Sequence, residues 1–95
     1  MPADDGFDLD AAWTLNPQVA LRPERFGALS YHFGTRRLSF LKSRTLLAVV
    51  QELQAHPSAL AACESVGVTA GERADVSAAL ARLAHTDFIV PRGAA

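Results

Sequence analysis

YHFGTRRLSFL, residues 31–41, is the stretch on which the fold turns. Gly34-Thr35 suits a two-residue hairpin turn with glycine first, and such a turn sets the pairing of the strands on either side of it. Phe33 then falls opposite Arg36, Tyr31 opposite Leu38 and Leu29 opposite Phe40. The other face pairs His32 with Arg37, Ser30 with Ser39 and Ala28 with Leu41. One face is mostly apolar and the other mostly polar. A one-residue slip would mix the two, so the register is well determined. No other segment offers itself as a fourth strand beside residues 37–41, and an open, sticky edge is normally a liability.

Upstream of the hairpin, Trp13, Leu15, Pro17, Val19 and Leu21 alternate with Thr14, Asn16, Gln18, Ala20 and Arg22. That period of two predicts one half-buried strand. Pro17 lacks an N–H for the ladder, so the strand is irregular or lies at an edge. A turn around Arg22-Pro23-Glu24-Arg25 leads into a strand over residues 26–33. Residues 1–12 carry Asp4, Asp5, Asp8 and Asp10 with little to bury, which predicts a disordered acidic tail.

Downstream, the period becomes helical. Ser43 is an N-cap candidate, with Leu46, Leu47, Val50 and Leu53 on one face. His56-Pro57 ends this helix, because the residue before proline disfavours the helical region. A second helix runs from Ser58 to about Val66 and stops at Gly67. Thr69-Ala-Gly-Glu72 has capping-box spacing and opens a third, with Val76, Ala79, Leu80 and Leu83 as its apolar stripe. Phe88-Ile89-Val90 makes a short extended end before Pro91. The plan is α+β and winged-helix-like: a three-stranded antiparallel sheet followed by three helices. One domain is expected over residues 13–92, with 93–95 as a C-terminal tail.

The 95 residues carry 49% hydrophobic and 20% charged side chains and a formal net charge of −1, which sets no global bias toward nucleic acid or anionic lipid. No apolar run approaches the ~20 residues that span a bilayer, so no membrane partner is expected. MPADDGFDLD is acidic where a secretory signal needs positive charge, and the single cysteine, Cys63, allows no internal disulfide. A cytoplasmic location is the expectation. His32, His56 and His85 share no metal-binding spacing and are taken as surface or turn histidines, His32 on the polar sheet face. Cys63 reads as a small buried hydrophobe in an alanine-rich helix. Glu64, Glu72, Asp75 and Asp87 read as helix surface and caps. With dispersed glycines and no cofactor motif, neither an independent enzyme nor a bound cofactor is expected.

Charge distribution says more than net charge. Six of the nine basic residues, Arg22, Arg25, Arg36, Arg37, Lys42 and Arg44, lie in one window with a single acid, Glu24. One explanation is gatekeeping, in which basic side chains on an edge strand deter aggregation. The other is attraction of an acidic partner toward the open strand. A winged-helix regulator of DNA is the alternative functional class, with the third helix as reader. That helix offers Glu72, Arg73, Asp75 and Arg82, a net of zero, and phosphate contacts dominate nucleic-acid affinity, so nucleic acid is not the expected partner.

The run LNPQVALRPERFGALSYHFGTRRLSFLKS, residues 15–43, closely resembles the mycofactocin biosynthesis chaperones, with YHFGTRRLSFL the most specific part. The similarity continues through TLLAVVQEL and the third helix to Pro91-Arg92. This family belongs to the wider PqqD-like group of peptide-recognition domains, from which Leu41-Lys42-Ser43 departs: the Leu-Asn pair that often opens the first helix there is replaced. The resemblance implies a chaperone without chemistry of its own. It would bind the leader of a ribosomally made precursor peptide and present it to a radical S-adenosylmethionine enzyme that modifies the peptide's C-terminal Val-Tyr. The leader would add as a strand beside Arg37, Leu38, Ser39, Phe40 and Leu41, with Arg36 and Lys42 flanking. The helix wall would be Arg73, Val76, Ser77 and Leu80. The same open edge could pair with its own copy and give a homodimer.

Overall fold

A computed structural model describes residues 7–92. Among the described residues, five strands and three helices follow one another as β1 (Trp13–Leu15), β2 (Val19–Glu24), β3 (Gly27–His32), β4 (Arg37–Leu41), α1 (Arg44–Glu52), α2 (Ala59–Val66), α3 (Ala70–His85) and β5 (Ile89–Pro91). A single 3₁₀ turn, Leu53–Ala55, extends α1. The strands form two antiparallel sheets, β2-β3-β4 and β1-β5, so the fold is α+β.

The expected strand over residues 13–21 is therefore two strands in two sheets. The break falls at Asn16-Pro17-Gln18, for a physical reason beyond proline's missing donor. Asn16 is buried, its backbone N–H donates to the Phe88 carbonyl at 3.0 Å, and its Nδ2 donates to the Asp87 carbonyl at 2.9 Å. Its Oδ1 accepts from the Gln18 N–H at 2.9 Å, which closes the bend and swings the chain into the second sheet. The extended end around Ile89 thereby acquires a partner, β1, in the register Thr14 with Val90. The turn expected at residues 22–25 lies at Arg25-Phe26, leaving Pro23 inside β2, where an edge strand tolerates it.

The β3–β4 register is the expected one, from Ala28 with Leu41 to His32 with Arg37. The connection is not. Four residues, 33–36, form the loop, and Arg36 takes the left-handed conformation at φ 61°. His32 explains the exchange, since its Nδ1 accepts from the Gly34 and Thr35 N–H groups at 3.0 and 3.1 Å. Two extra loop residues keep the same pairs opposite one another. A Cβ at Gly34 would meet Gln18 Oε1 at 2.2 Å and the His32 ring at 2.9 Å, so a larger residue there would first displace the Gln18 side chain.

The sheet also faces the opposite way from what a surface His32 implies. Ala28, Ser30, His32 and Leu41 are all buried, whereas Phe33, Leu38 and Phe40 are exposed. The inward face works because its members are small or satisfied. Ser30 Oγ donates to the Ser39 carbonyl at 3.0 Å, and His32 packs edge-on against Phe88 with 5.5 Å between centroids. The bulk of the core comes from elsewhere, from Trp13, Leu46, Val49, Val50, Leu53, Leu80 and Ile89. Small residues on a sheet let helices approach closely, which is how a chain of this size fills its centre.

The helices begin where their caps predict. Ser43 Oγ accepts from the Leu46 N–H, Ser58 Oγ from Ala61, and Thr69 with Glu72 closes a reciprocal capping box. The expected tail behaves differently over residues 7–12. Phe7 packs on Trp13 with centroids 5.1 Å apart, and the Leu9 and Ala11 carbonyls accept from Leu60 and Ala59. Those residues belong to the domain because they cover the indole and cap the start of α2. Residues 1–6 and 93–95, the rest of the two expected tails, lie outside the described residues.

At the other end Arg92 acts as a clamp. Its guanidinium donates to the Leu53, Gln54 and His56 carbonyls at 2.7, 2.9 and 2.7 Å, satisfying the last turn after α1. Arg92→Ala should destabilise the fold by about 2 kcal/mol, since charge-assisted bonds outrank neutral ones. A thermal melt should fall by about 10 °C; an unchanged melting temperature would mean that water replaces the clamp.

Candidate functional site

In the three-stranded sheet β4 is an outer strand, and among the described residues no strand pairs with its far side. Which of its groups are free follows from alternation. The Phe33 N–H donates to the Gln18 carbonyl on the β2 side, so Ser30 and His32 direct theirs toward β4. The hydrogen-bonded pairs are then Ser30 with Ser39 and His32 with Arg37. Leu38 and Phe40 accordingly direct their N–H and C=O groups outward, into the open edge.

Beside that edge runs a groove of about 470 Å³, bounded by β4, the start of α1 and one side of α3. Leu38, Ser39, Phe40 and Lys42 form its strand wall, Ser43 and Leu46 its end, and Asp75, Val76, Ala79 and Arg82 its helix wall. A smaller recess of about 180 Å³ continues it toward Leu83 and Thr86. The lining is an apolar floor of Leu46, Val76 and Ala79 with charges only at the rim, a pattern that suits an extended chain with apolar side chains.

Of the strand residues expected at the site, Leu38, Ser39, Phe40 and Lys42 line the groove, while Leu41, buried at 1% exposure, borders only the smaller recess. Arg36 and Arg37 stand exposed at the hairpin tip, outside the lining. On the helix only Val76 of the expected wall lines the groove. Leu80 has no exposed surface, and Arg73 lies near Cys63, whose thiol is pushed up by burial against the pull of Arg73. Ser77 is half-buried and off the groove. Asp75, Ala79 and Arg82 repeat at the i, i+4, i+7 spacing of one helix face, set nearly half a turn from Arg73, Ser77 and Leu80. The signal was present in that spacing, but both faces carry apolar and charged residues, so periodicity alone does not choose between them.

His32 ties the hairpin to the rest of the molecule. With Nδ1 accepting two N–H groups, the ring proton belongs on Nε2, which lies 3.4 Å from Asp87 Oδ2 and from Asn16 Nδ2. The cluster holds the root of the loop against the junction of α3 and β5. Among the described residues no group of three His, Cys, Asp or Glu side chains could hold a metal ion, and no helix is long and apolar enough to cross a membrane.

Residues 12–90 match the family model described as the peptide chaperone MftB family. The chain is similar to the peptide chaperone MftB of Mycobacterium ulcerans, 54% identical over 88 residues that cover 93% of this chain and 81% of that protein. It is 55% identical over 86 residues to the Mycobacterium tuberculosis protein of the same name, covering 90% of this chain and 79% of the relative. The Mycolicibacterium smegmatis protein of that name is 51% identical over 85 residues, 90% of this chain and 83% of the relative. No solved structure matches the chain. These matches name a non-catalytic role, and the chain belongs to the peptide chaperone MftB family.

Proposed function

We propose that this chaperone binds the leader of a ribosomally made precursor peptide as an added strand along β4 and delivers it to a radical S-adenosylmethionine enzyme of mycofactocin biosynthesis. The observation that carries the proposal is the unpaired outer edge of β4 directly above the groove against α3. Strand addition supplies backbone hydrogen bonds worth roughly 0.5–1.5 kcal/mol each. Ordering a disordered leader costs about 2–5 kcal/mol, which offsets most of that gain. The surplus comes from apolar leader side chains in the groove, on the order of 3–6 kcal/mol for two of leucine size. Leu46, Val76 and Ala79 are the surfaces that receive them.

Titration with the precursor peptide, followed through backbone amides by NMR, tests this. Shifts should concentrate in β4 and the Asp75–Arg82 face of α3. Binding that leaves both unperturbed would place the peptide elsewhere. A second copy could pair along the same edge, so peptide should dissolve any dimer formed there.

Arg36, Arg37 and Lys42 are exposed at the ends of β4 and should steer an acidic leader to the edge. Arg37→Glu should slow association by about threefold to tenfold at low salt and flatten its salt dependence. Stopped-flow association rates check this, and a change confined to dissociation would remove the steering role.

A further inference from the structure

The inverted sheet leaves an apolar face with no cover among the described residues. Leu29 and Tyr31 of β3 stand on the same side as Leu38 and Phe40 of β4, because directly opposite residues share a face. Phe26 packs on Phe40 with centroids 6.2 Å apart, and Phe33 packs edge-on against Tyr31 at 5.2 Å. Exposure is 46% at Phe26, 61% at Phe33, 57% at Leu38 and 53% at Phe40. With large side chains of about 200 Å² each, roughly 400 Å² of contiguous apolar surface faces outward, the scale of the largest patch on a typical monomer, which is often functional. It is about half of what one partner contributes to a standard protein interface, so its surroundings must supply the rest. Around it, Arg22 stands opposite Leu29 and pairs with Glu24 at 2.9 Å, while Arg25, Arg36 and Lys42 are exposed in the turns and strand ends that border the face, so its margin is net basic.

That charge pattern selects the occupant. A second copy docked about a two-fold axis would bring one basic rim against another, which is costly. A different protein with an apolar centre and an acidic rim meets both requirements. The rings also lie packed on one another in a broad face and do not project singly, which suits a protein surface better than insertion into lipid.

The geometry points to this outer sheet face as the docking surface for the radical S-adenosylmethionine enzyme, separate from the leader groove. Naming that enzyme rests on the leader-delivery function proposed above. Leu38 and Phe40 border both sites, so a leader held on β4 runs along the margin of the docked enzyme and needs no release to reach it. Phe26, Tyr31 and Phe33 belong to the outer face alone.

The test compares the full chain with Phe26→Ser/Phe33→Ser and, as a second probe of the same face, with Tyr31→Ser. Precursor-peptide affinity, affinity for the cognate radical S-adenosylmethionine enzyme by interferometry, and sedimentation velocity are measured on proteins shown to be folded by circular dichroism. Enzyme affinity should fall by about tenfold or more in the double variant and by less in Tyr31→Ser, with peptide affinity within about twofold of the parent. Unchanged enzyme affinity in both folded variants, or no enzyme binding by the parent chain, overturns the proposal. It is equally overturned if the parent is a dimer that the variants dissociate, or if the parent binds anionic phosphatidylglycerol vesicles that the variants do not. A parent chain that binds the enzyme through this face but not the peptide would sink the leader function and leave the docking face standing.

Discussion

Leu38→Pro should leave the protein folded and remove most of its affinity for the precursor peptide. The two halves of that expectation come from one feature. The Leu38 N–H points out of the sheet, so β4 loses no internal ladder bond when proline replaces it. Proline is tolerated at an edge position of this kind, and Leu38 is 57% exposed, so little core packing depends on it. An incoming strand, by contrast, loses a donor, meets the ring where it would lie, and forfeits the leucine side chain. One backbone bond and most of an apolar contact amount to roughly 3 kcal/mol, about a hundredfold in affinity. Calorimetric titration measures the loss and a thermal melt measures the fold. Full affinity in a folded Leu38→Pro protein would mean that the peptide does not extend the sheet at β4.

Gly27→Ala should be the most damaging small substitution in the chain. Gly27 opens β3 at φ 149°, a conformation that side-chain-bearing residues rarely adopt. A Cβ at this position would lie 2.0 Å from the Leu41 carbonyl oxygen and within 2.9 Å of the Ser43 backbone N and O. These are backbone atoms at the point where β4 hands over to α1, so no side-chain rotation relieves the clash. Relief requires β4 to move away from β3 or the N-cap at Ser43 to break, and either distorts the groove. The cost should be about 3 kcal/mol or more, a large share of the stability of a domain this small. Chemical denaturation measures it. A loss below about 1 kcal/mol would show that the β4–α1 corner is softer than its packing indicates.

The elements that were legible in the sequence are those written in local chemistry. The three N-caps, the proline that ends the first helix and the capping box before α3 each involve residues within a few positions of one another. The pairing of β3 with β4 was legible too, because the alternation across residues 28–41 permits a single register. The loop inside that hairpin was not. The side chain of His32 recruits two N–H groups to a longer turn, a preference that turn propensities at Gly34-Thr35 do not contain.

The split between β1 and β2 was hidden for a related reason. Its cause, Asn16 bonded to Phe88 and Asp87, joins residues more than seventy positions apart. The edge that defines the candidate site was visible as a strand without a partner, but its helix wall was not. Spacing along α3 narrows the wall to a face, and only the seat of Leu80 in the core decides that Asp75, Ala79 and Arg82 turn toward β4.

Local order, pairing register and the clustering of positive charge around the hairpin were thus settled by the chain's own order of residues, because each depends on neighbours or on a single alternation. Which side of the sheet is inside was settled by packing. Alternation separates two faces but does not say which one meets the helices, and here Ala28, Ser30 and a hydrogen-bonded His32 fit beneath them where Tyr31, Leu38 and Phe40 would not. The outward turn of the aromatic side chains is a consequence of volume and of polar groups finding partners across the molecule, and both come into being only when the chain has closed on itself.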